Sequence, residues 1–274
     1  MHSKFIITND KGGVGKSTLA QFVILHLSRQ VRPVRAVEYD RQPKLRRFFG
    51  DGVITHSIGP EWERQFADSA TLATFWDPLV KWFQVERPLV VDFGAQVWDY
   101  FRAWGESAML ADIVDSRRVC LLIPVTADAE AVSAARRIIE TSAAILPHAR
   151  RVVLFCDKDG EVEMLKGLPE YDAFRAALAR YGAEVRRIPV LAREGYPMLA
   201  GRGWRFDKIY TAKPIDVVRA TGASLMVGGR TITAVRGWVD AMTDALKDVL
   251  VVPGAQPAAG FSPAVQPKQP ERVS

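Results

Sequence analysis

An open, doubly wound α/β domain, with a mostly parallel sheet and helices on both faces, is the fold that the 274-residue sequence predicts. Three observations carry the expectation. Short apolar runs of strand length alternate with stretches in which apolar residues recur at helical spacing, the pattern of successive βαβ units. A glycine-rich loop, Lys11-Gly12-Gly13-Val14-Gly15, lies between the first apolar run and the first helical pattern. Two apolar runs end in an aspartate, Asp40 and Asp92, and open parallel sheets gather their ligands at the carboxyl ends of strands.

Composition sets the outer limits. The chain is long enough for one domain of about 250 residues plus a tail, and a hydrophobic content of 48% supplies one large core. Residues 1–251 are expected to form that domain. Beyond them Pro253, Pro257, Pro263, Pro267 and Pro270 interrupt a polar, small-residue stretch, so 252–274 reads as a disordered tail. Cys120 and Cys156 each sit in a strand-like run and read as reduced core thiols of a cytoplasmic protein, without a disulfide or zinc framework. Met1 to Lys4 run straight into the first strand, which leaves no room for a signal peptide or a preceding DNA-reading helix-turn-helix. No run approaches the roughly 18 apolar residues of a membrane span. The net charge of +6 favours an acidic partner surface such as nucleic acid.

Taken in order, Phe5-Ile6-Ile7-Thr8 is the first strand, and Leu19, Phe22, Val23 and Leu27 mark a helix over about 17–29. Residues 34–39 form the second strand, with Asp40 at its end. Lys44 to Phe49 reads as a short basic helix. Pro60 through Phe83 reads as a helix whose apolar positions, Trp62, Phe66, Leu72, Phe75, Trp76, Leu79 and Trp82, serve packing. Pro88 to Asp92 is an apolar strand, Asp99 to Leu110 a helix, and the run from Arg118 to Val125 another strand. A helix through Ala131, Ala135, Ile138 and Ile145 follows, then a strand over 151–156, a helix over 172–181 and a last strand over 185–190. Residues 193–213 read as a long irregular stretch. Val235, Val239, Met242, Leu246 and Val249 then define the buried face of a final helix, whose mixed-charge outer face suits docking on the core rather than on a membrane.

The loop carries the chemistry. Gly12, Gly13 and Gly15 allow a tight turn that points successive N–H groups at phosphate oxygens, and the helix beginning at the loop's end adds its positive dipole end. Val14 and Thr18 complete the cradle. Lys16 is placed to reach the β- and γ-phosphates, and the Ser17 hydroxyl to join Mg²⁺. Asp92, delivered by a buried strand, is placed to act on that ion through water, and Asp40 is a further candidate contact.

The run Lys11-Gly12-Gly13-Val14-Gly15-Lys16-Ser17 resembles the deviant Walker A loop of the ParA/MinD family of P-loop ATPases, with Asp10 where the ordinary motif has its first glycine. The resemblance covers roughly residues 4 to 250, with specific motifs at 11–18, 40 and 92. It implies a doubly wound P-loop NTPase that binds ATP and Mg²⁺, forms a homodimer on ATP and hydrolyses it slowly under stimulation by an activator. In that family the extra lysine, here Lys11, reaches the partner subunit's nucleotide. Glu38-Tyr39-Asp40-Arg41-Gln42 matches the first switch, where Asp40 aligns with the residue that positions the attacking water; Arg41 replaces the usual proline. Asp92-Phe93-Gly94-Ala95 matches the second switch and is closer to a conjugation-associated, TraL-type branch than to partition proteins. No asparagine follows the strand ending at Cys156, where the family reads adenine, and Asp157-Lys158-Asp159 only faintly resembles a guanine-reading motif. The resemblance implies work in DNA positioning, as plasmid or chromosome partition or conjugative transfer, with non-specific DNA and a transfer or partition protein as partners. Arg136-Arg137, Arg150-Arg151, Arg186-Arg187, Arg193, Arg202, Arg205 and Lys208 are the candidate DNA contacts. Two other function classes stay open: a nucleotide-binding scaffold with little hydrolysis, and a small-molecule kinase. Lys11 weighs against the kinase, because a kinase acceptor would need the space that the second subunit's lysine occupies in that family.

Overall fold

The computed structural model describes residues 2–31, 33–59, 69–192 and 194–252. Among them seven strands form one sheet: β1 (Lys4–Ile7), β2 (Arg35–Asp40), β3 (Val53–Ser57), β4 (Leu89–Phe93), β5 (Val119–Val125), β6 (Arg150–Cys156) and β7 (Glu184–Ile188). Their order is β3-β2-β4-β1-β5-β6-β7, and every ladder is parallel. The fold is therefore doubly wound α/β, as expected. Strands added after β1 go to one side, and from β5 onward to the other. The carboxyl end of β1, where the glycine loop starts, is thus the point at which the winding reverses, and such points form ligand crevices.

The helices are α1 (Lys16–Gln30), α2 (Arg46–Phe49), α3 (Ser69–Gln84), α4 (Trp98–Ser107), α5 (Leu110–Ile113), α6 (Ala129–Ile145), α7 (Pro169–Arg180), α8 (Tyr196–Gly201), α9 (Phe206–Thr211), α10 (Pro214–Thr221) and α11 (Leu225–Leu246). Strand residues alternate between two cores because successive side chains point to opposite faces. Ile6, Tyr39, Val91, Phe93 and Leu121 meet Trp76, Phe101, Trp104, Ile138 and Phe174 on the face covered by α3, α4, α6 and α7. Phe5, Ile7, Val90, Leu122 and Leu154 meet Phe22, Val23, Ile209, Val217 and Met242 on the face covered by α1 and α9–α11. Burial on both faces explains why the inner strands β1, β4, β5 and β6 read as apolar runs, whereas the edge strands β3 and β7 are more polar.

Three sequence expectations need correction. β3 falls in a stretch without a strand assignment; Val53-Ile54-Thr55 is β-branched, but the run is short and half-polar because it pairs only with β2, at the sheet edge. The stretch read as irregular after β7 contains α8 and α9, and α10 follows it; each has eight residues or fewer, too short for periodicity to register. The expected helix at Asp99–Leu110 breaks into α4 and α5 at Met109, which takes a positive φ of 53°. The aromatics of α3 do pack: Trp76 is fully buried against Tyr39, Phe93 and Trp104. Trp62, Phe66, Arg193 and the proline-rich stretch from Pro253 lie outside the described residues. Both cysteines are free thiols, Cys120 buried and Cys156 partly so. Among the described residues no helix is long and apolar enough to cross a membrane.

Candidate nucleotide site

β1 is fully buried between β4 and β5 and delivers the chain to the loop along a fixed path. Asn9, also buried, clamps the loop's start: its amide donates to Pro124 O (2.9 Å) and Ala131 O (3.1 Å), and its carbonyl oxygen accepts the Lys11 N–H (2.9 Å). Gly13 and Gly15 adopt φ of 81° and 97°, the left-handed region that disfavours other residues. A Cβ placed on Gly12, Gly13 or Gly15 would meet nothing within 4 Å, so the loop borders open space. α1 begins at Lys16, and Lys16 Nζ donates to Lys11 O (2.8 Å), closing the loop on itself. Val14 is buried beneath the loop; Ser17 and Thr18 are half-buried at its end.

Lys16 is nearly buried, and desolvation lowers its pKa against the pull of Asp92, Asp40 and Asp10. Lys16 is thus the cation on which the carboxylates of Asp92, Asp40 and Asp10 all act. Asp92 lies in register with Ile7 on one side and Glu38 on the other. Burial and the adjacent Glu38 push its pKa up to about 7, while the facing Ser17 hydroxyl and Lys16 draw it down. Neither Asp92 carboxylate oxygen completes a hydrogen bond, although both are buried. Orphaned acceptors of this kind suit the waters of a hydrated cation. Among the described residues no three His, Cys, Asp or Glu side chains form a metal cluster. A divalent ion beside Ser17 and Asp92 would therefore draw most of its ligands from phosphate and water, the manner in which Mg²⁺ is usually held.

Asp40 ends β2 half-buried, its Oδ1 accepting the Gln42 N–H (2.9 Å). The two loops after β2 and β4 touch directly. Gly94 N–H donates to Tyr39 O (2.7 Å), and a Cβ at Gly94 would stand 2.5 Å from Asp40 Cγ and 2.9 Å from its Cα. Only glycine permits that approach. Glu38, which sequence reasoning passed over, is buried and accepts the backbone N–H groups of Lys44 (2.6 Å) and Leu45 (3.0 Å), so it folds the segment after Asp40 back onto the site. Burial raises its pKa.

Lys11 does not project freely. Its ammonium is bound by Glu130 and lies 3.4 Å from Asp128, both at the start of α6, which raises its pKa. Asp10 is nearly buried, bonded to the Arg137 guanidinium and, at 3.3 Å, to Trp98 N. Arg137 also pairs with Asp99 (3.2 Å). Asp10 thus ties the loop to the starts of both α4 and the Arg137 turn of α6. No local signal marks this, since Asp10 and Arg137 stand far apart in sequence.

On the other side of the loop a cavity of about 600 Å³ runs past Gly13, Gly15 and Thr18 to the end of β7, walled by Ile188, Val190, Leu191, Tyr196 and Trp238. Cys156 and Lys158 line it; Asp157 does not, and is held instead by Arg187. Lys158 pairs with Asp159 (2.6 Å). The stretch Asp157-Lys158-Asp159 is accordingly a salt-bridged turn.

Several arginines expected to face DNA are already engaged. Arg151 is buried and donates to Ser142 Oγ, Ala149 O and Leu146 O. Arg150 forks onto Glu184 (2.8 and 2.9 Å), Arg186 binds Glu184 and Asp248, and Arg187 binds Asp157 and Glu163. Arg136 lies 3.7 Å from Glu140.

No protein-family model matches the sequence. No curated protein matches it either. Solved structures do. An ATP complex of a single-residue variant of McdA from Cyanothece is similar over 81% of this chain and 97% of its own, with 16% identity and a TM-score of 0.44. MinD from Aquifex aeolicus covers 84% and 97% at 15% identity and a TM-score of 0.45. A ParA family ATPase from Chlorobium tepidum covers 87% and 99% at 11% identity and a TM-score of 0.47.

Proposed function

We propose that this chain is a nucleotide-switch ATPase of the ParA/MinD type, which binds ATP with Mg²⁺, dimerises on it and releases the dimer by slow hydrolysis. The observation that carries the reading is the convergence on Lys16 of Asp92, Asp40 and Asp10 at the mouth of a left-handed glycine loop that opens on free space. In this reading the loop N–H groups and Lys16 hold the β- and γ-phosphates, and Ser17 and Asp92 hold the ion, Asp92 through water. Bound Mg²⁺ supplies charge neutralisation on the phosphate oxygens. Asp40, at the end of β2, orients the attacking water, and Gly94 keeps its side chain in place. The apolar cavity beyond Thr18 takes the base. Lys11 leaves Glu130 and crosses to a second copy's nucleotide, in the way a group supplied in trans stabilises transferring phosphate.

The work of such a switch is positioning: plasmid or chromosome partition, or support of conjugative transfer, in the cytoplasm, with DNA and an activating protein as partners. The basic excess supports the nucleic-acid half of this statement. The test is Asp40→Ala assayed in parallel by calorimetry and by phosphate release. ATP binding at parental affinity with turnover lost is expected. A variant that hydrolyses ATP like the parent removes Asp40 from the water's position, and a parent that binds no ATP removes the whole reading.

A further inference from the structure

Among the described residues two that are not glycine adopt a positive φ, Met109 at 53° and Gln96 at 64°. Met109 stands at the junction of α4 and α5, where a left-handed residue lets one helix end and the next begin. Gln96 stands instead in the connection between β4 and α4, four residues beyond Asp92. Glycine would hold that conformation without penalty, so the sequence keeps a side chain there against the backbone's preference. Left-handed residues of this kind concentrate at functional sites. The connection is fixed at both ends. Before Gln96, Gly94 N–H donates to Tyr39 O (2.7 Å), with Gly94 close against Asp40. After it, Val97 and Trp98 are buried; Trp98 N donates to Asp10 Oδ1 (3.3 Å), and its indole to Thr141 Oγ1 (2.9 Å). One anchor is the end of the Asp40 strand and the other is the start of the glycine loop. Gln96, between them, is exposed and lines the cleft beside Gly12 and Lys11. Of the other polar side chains lining that cleft, Lys11 is bound to Glu130 and Asp10 to Arg137. The Gln96 carboxamide hydrogen-bonds no group among the described residues.

We propose that Gln96 is a second group on the attacking water, its carboxamide accepting from that water and donating to a γ-phosphate oxygen. The proposal rests on the nucleotide-switch reading above and adds to it a residue of the β4–α4 connection. Its chemistry differs from that of Asp40. An ionised carboxylate only accepts, so Asp40 can hold the water but is repelled by the phosphate. An amide carries both an NH₂ donor and a carbonyl acceptor, and can bridge the two. A carboxamide orients the attacking water in some other nucleotide hydrolases. Gln96 gains and loses no proton. The water oxygen bonds the γ-phosphorus, and the bond to the bridging oxygen breaks with its electron pair left on ADP. The water's protons pass to the phosphate and to solvent. The left-handed backbone of Gln96, pinned at Gly94 and at Trp98, holds the amide in place before the reaction, which is where preorganised hydrogen-bonding groups gain their effect.

The experiment measures phosphate release by the full chain at saturating ATP and Mg²⁺, with ATP calorimetry, light scattering and melting curves on the same samples. It compares the parent with Gln96→Gly and Gln96→Ala. Both variants should release phosphate about 10²-fold more slowly, the worth of one preorganised hydrogen-bonding group at developing charge. Both should keep the parent's ATP affinity and its mass on ATP. Gln96→Gly should also melt higher than the parent by about 2–4 °C, because glycine relieves the left-handed backbone. Gln96→Ala, which keeps that backbone strained, should show the slower release without the gain. A residue that merely held the turn would not give a more stable protein with slower chemistry. Parental release by either variant, a loss of rate matched by a loss of ATP affinity or of dimer mass, or a Gln96→Gly variant that melts below the parent would each overturn the proposal. A parent that binds ATP and releases no phosphate would overturn it too, with nucleotide binding intact. A parent that binds no ATP would overturn the nucleotide reading, and the proposal with it.

Discussion

On one side of the glycine loop, Gly13 and Gly15 border a cleft of about 600 Å³ walled by Ile188, Val190, Leu191, Tyr196 and Trp238. On the other, Gly12 borders a cleft of about 420 Å³ walled by Asp10, Lys11, Glu130 and Arg137. The first offers apolar surface to a flat, uncharged group, and such burial is non-directional. The second is a set of charges held in pairs, and each pair is a restraint that a change of state has to break. In the proposed reading this contrast gives one loop two purposes. In the proposed switch the apolar side takes the base and the charged side responds to assembly, because Lys11 is held by Glu130 of its own chain.

Substitutions can sharpen this division. The largest effect is expected from Lys16→Ala, at the centre: ATP binding should vanish from calorimetry, because the main cation facing the phosphates is gone. Gly94→Ala comes next. Its Cβ would overlap Asp40, so thermal melting should report a loss of about 1–3 kcal/mol, and phosphate release should fall with ATP binding retained. On the apolar side, Leu191→Ala should weaken ATP by about tenfold, the worth of one or two buried methylenes, and leave inorganic tripolyphosphate binding unchanged. Equal losses for both ligands would break the assignment of that cleft to the base. The smallest effect is expected on the charged side. Glu130→Gln should favour the ATP-dependent dimer by no more than about fivefold, since an exposed ion pair is weak, and analytical ultracentrifugation would read it.

Much of this is legible in the sequence. The glycine loop, Asp40 and Asp92 stand at ends of apolar runs, and the inner strands β1, β4, β5 and β6 carry the apolar runs that burial on both faces requires. What was not legible depends on contacts between distant parts of the chain. Asn9 becomes a clamp only because β5 and α6 bring Pro124 and Ala131 beside it. Arg137 looks like half of a basic pair until the fold sets it on Asp10. Adjacent arginines such as Arg150-Arg151 suggest a DNA-facing patch, yet strand alternation turns one inward to Ser142 and the other toward Glu184. Arg46-Arg47 is also an adjacent pair, in the stretch that reads as a short basic helix, and both stay exposed beside the backbone that Glu38 holds at Lys44 and Leu45.

The switch itself is tested most directly by light scattering of the parent and of Lys11→Gln, each with and without ATP and Mg²⁺. The parent should double its mass on ATP and return to a single chain as ATP is consumed, while Lys11→Gln should bind ATP and stay a single chain. A parent that remains a single chain at saturating ATP, or a Lys11→Gln variant that doubles as the parent does, would contradict the account.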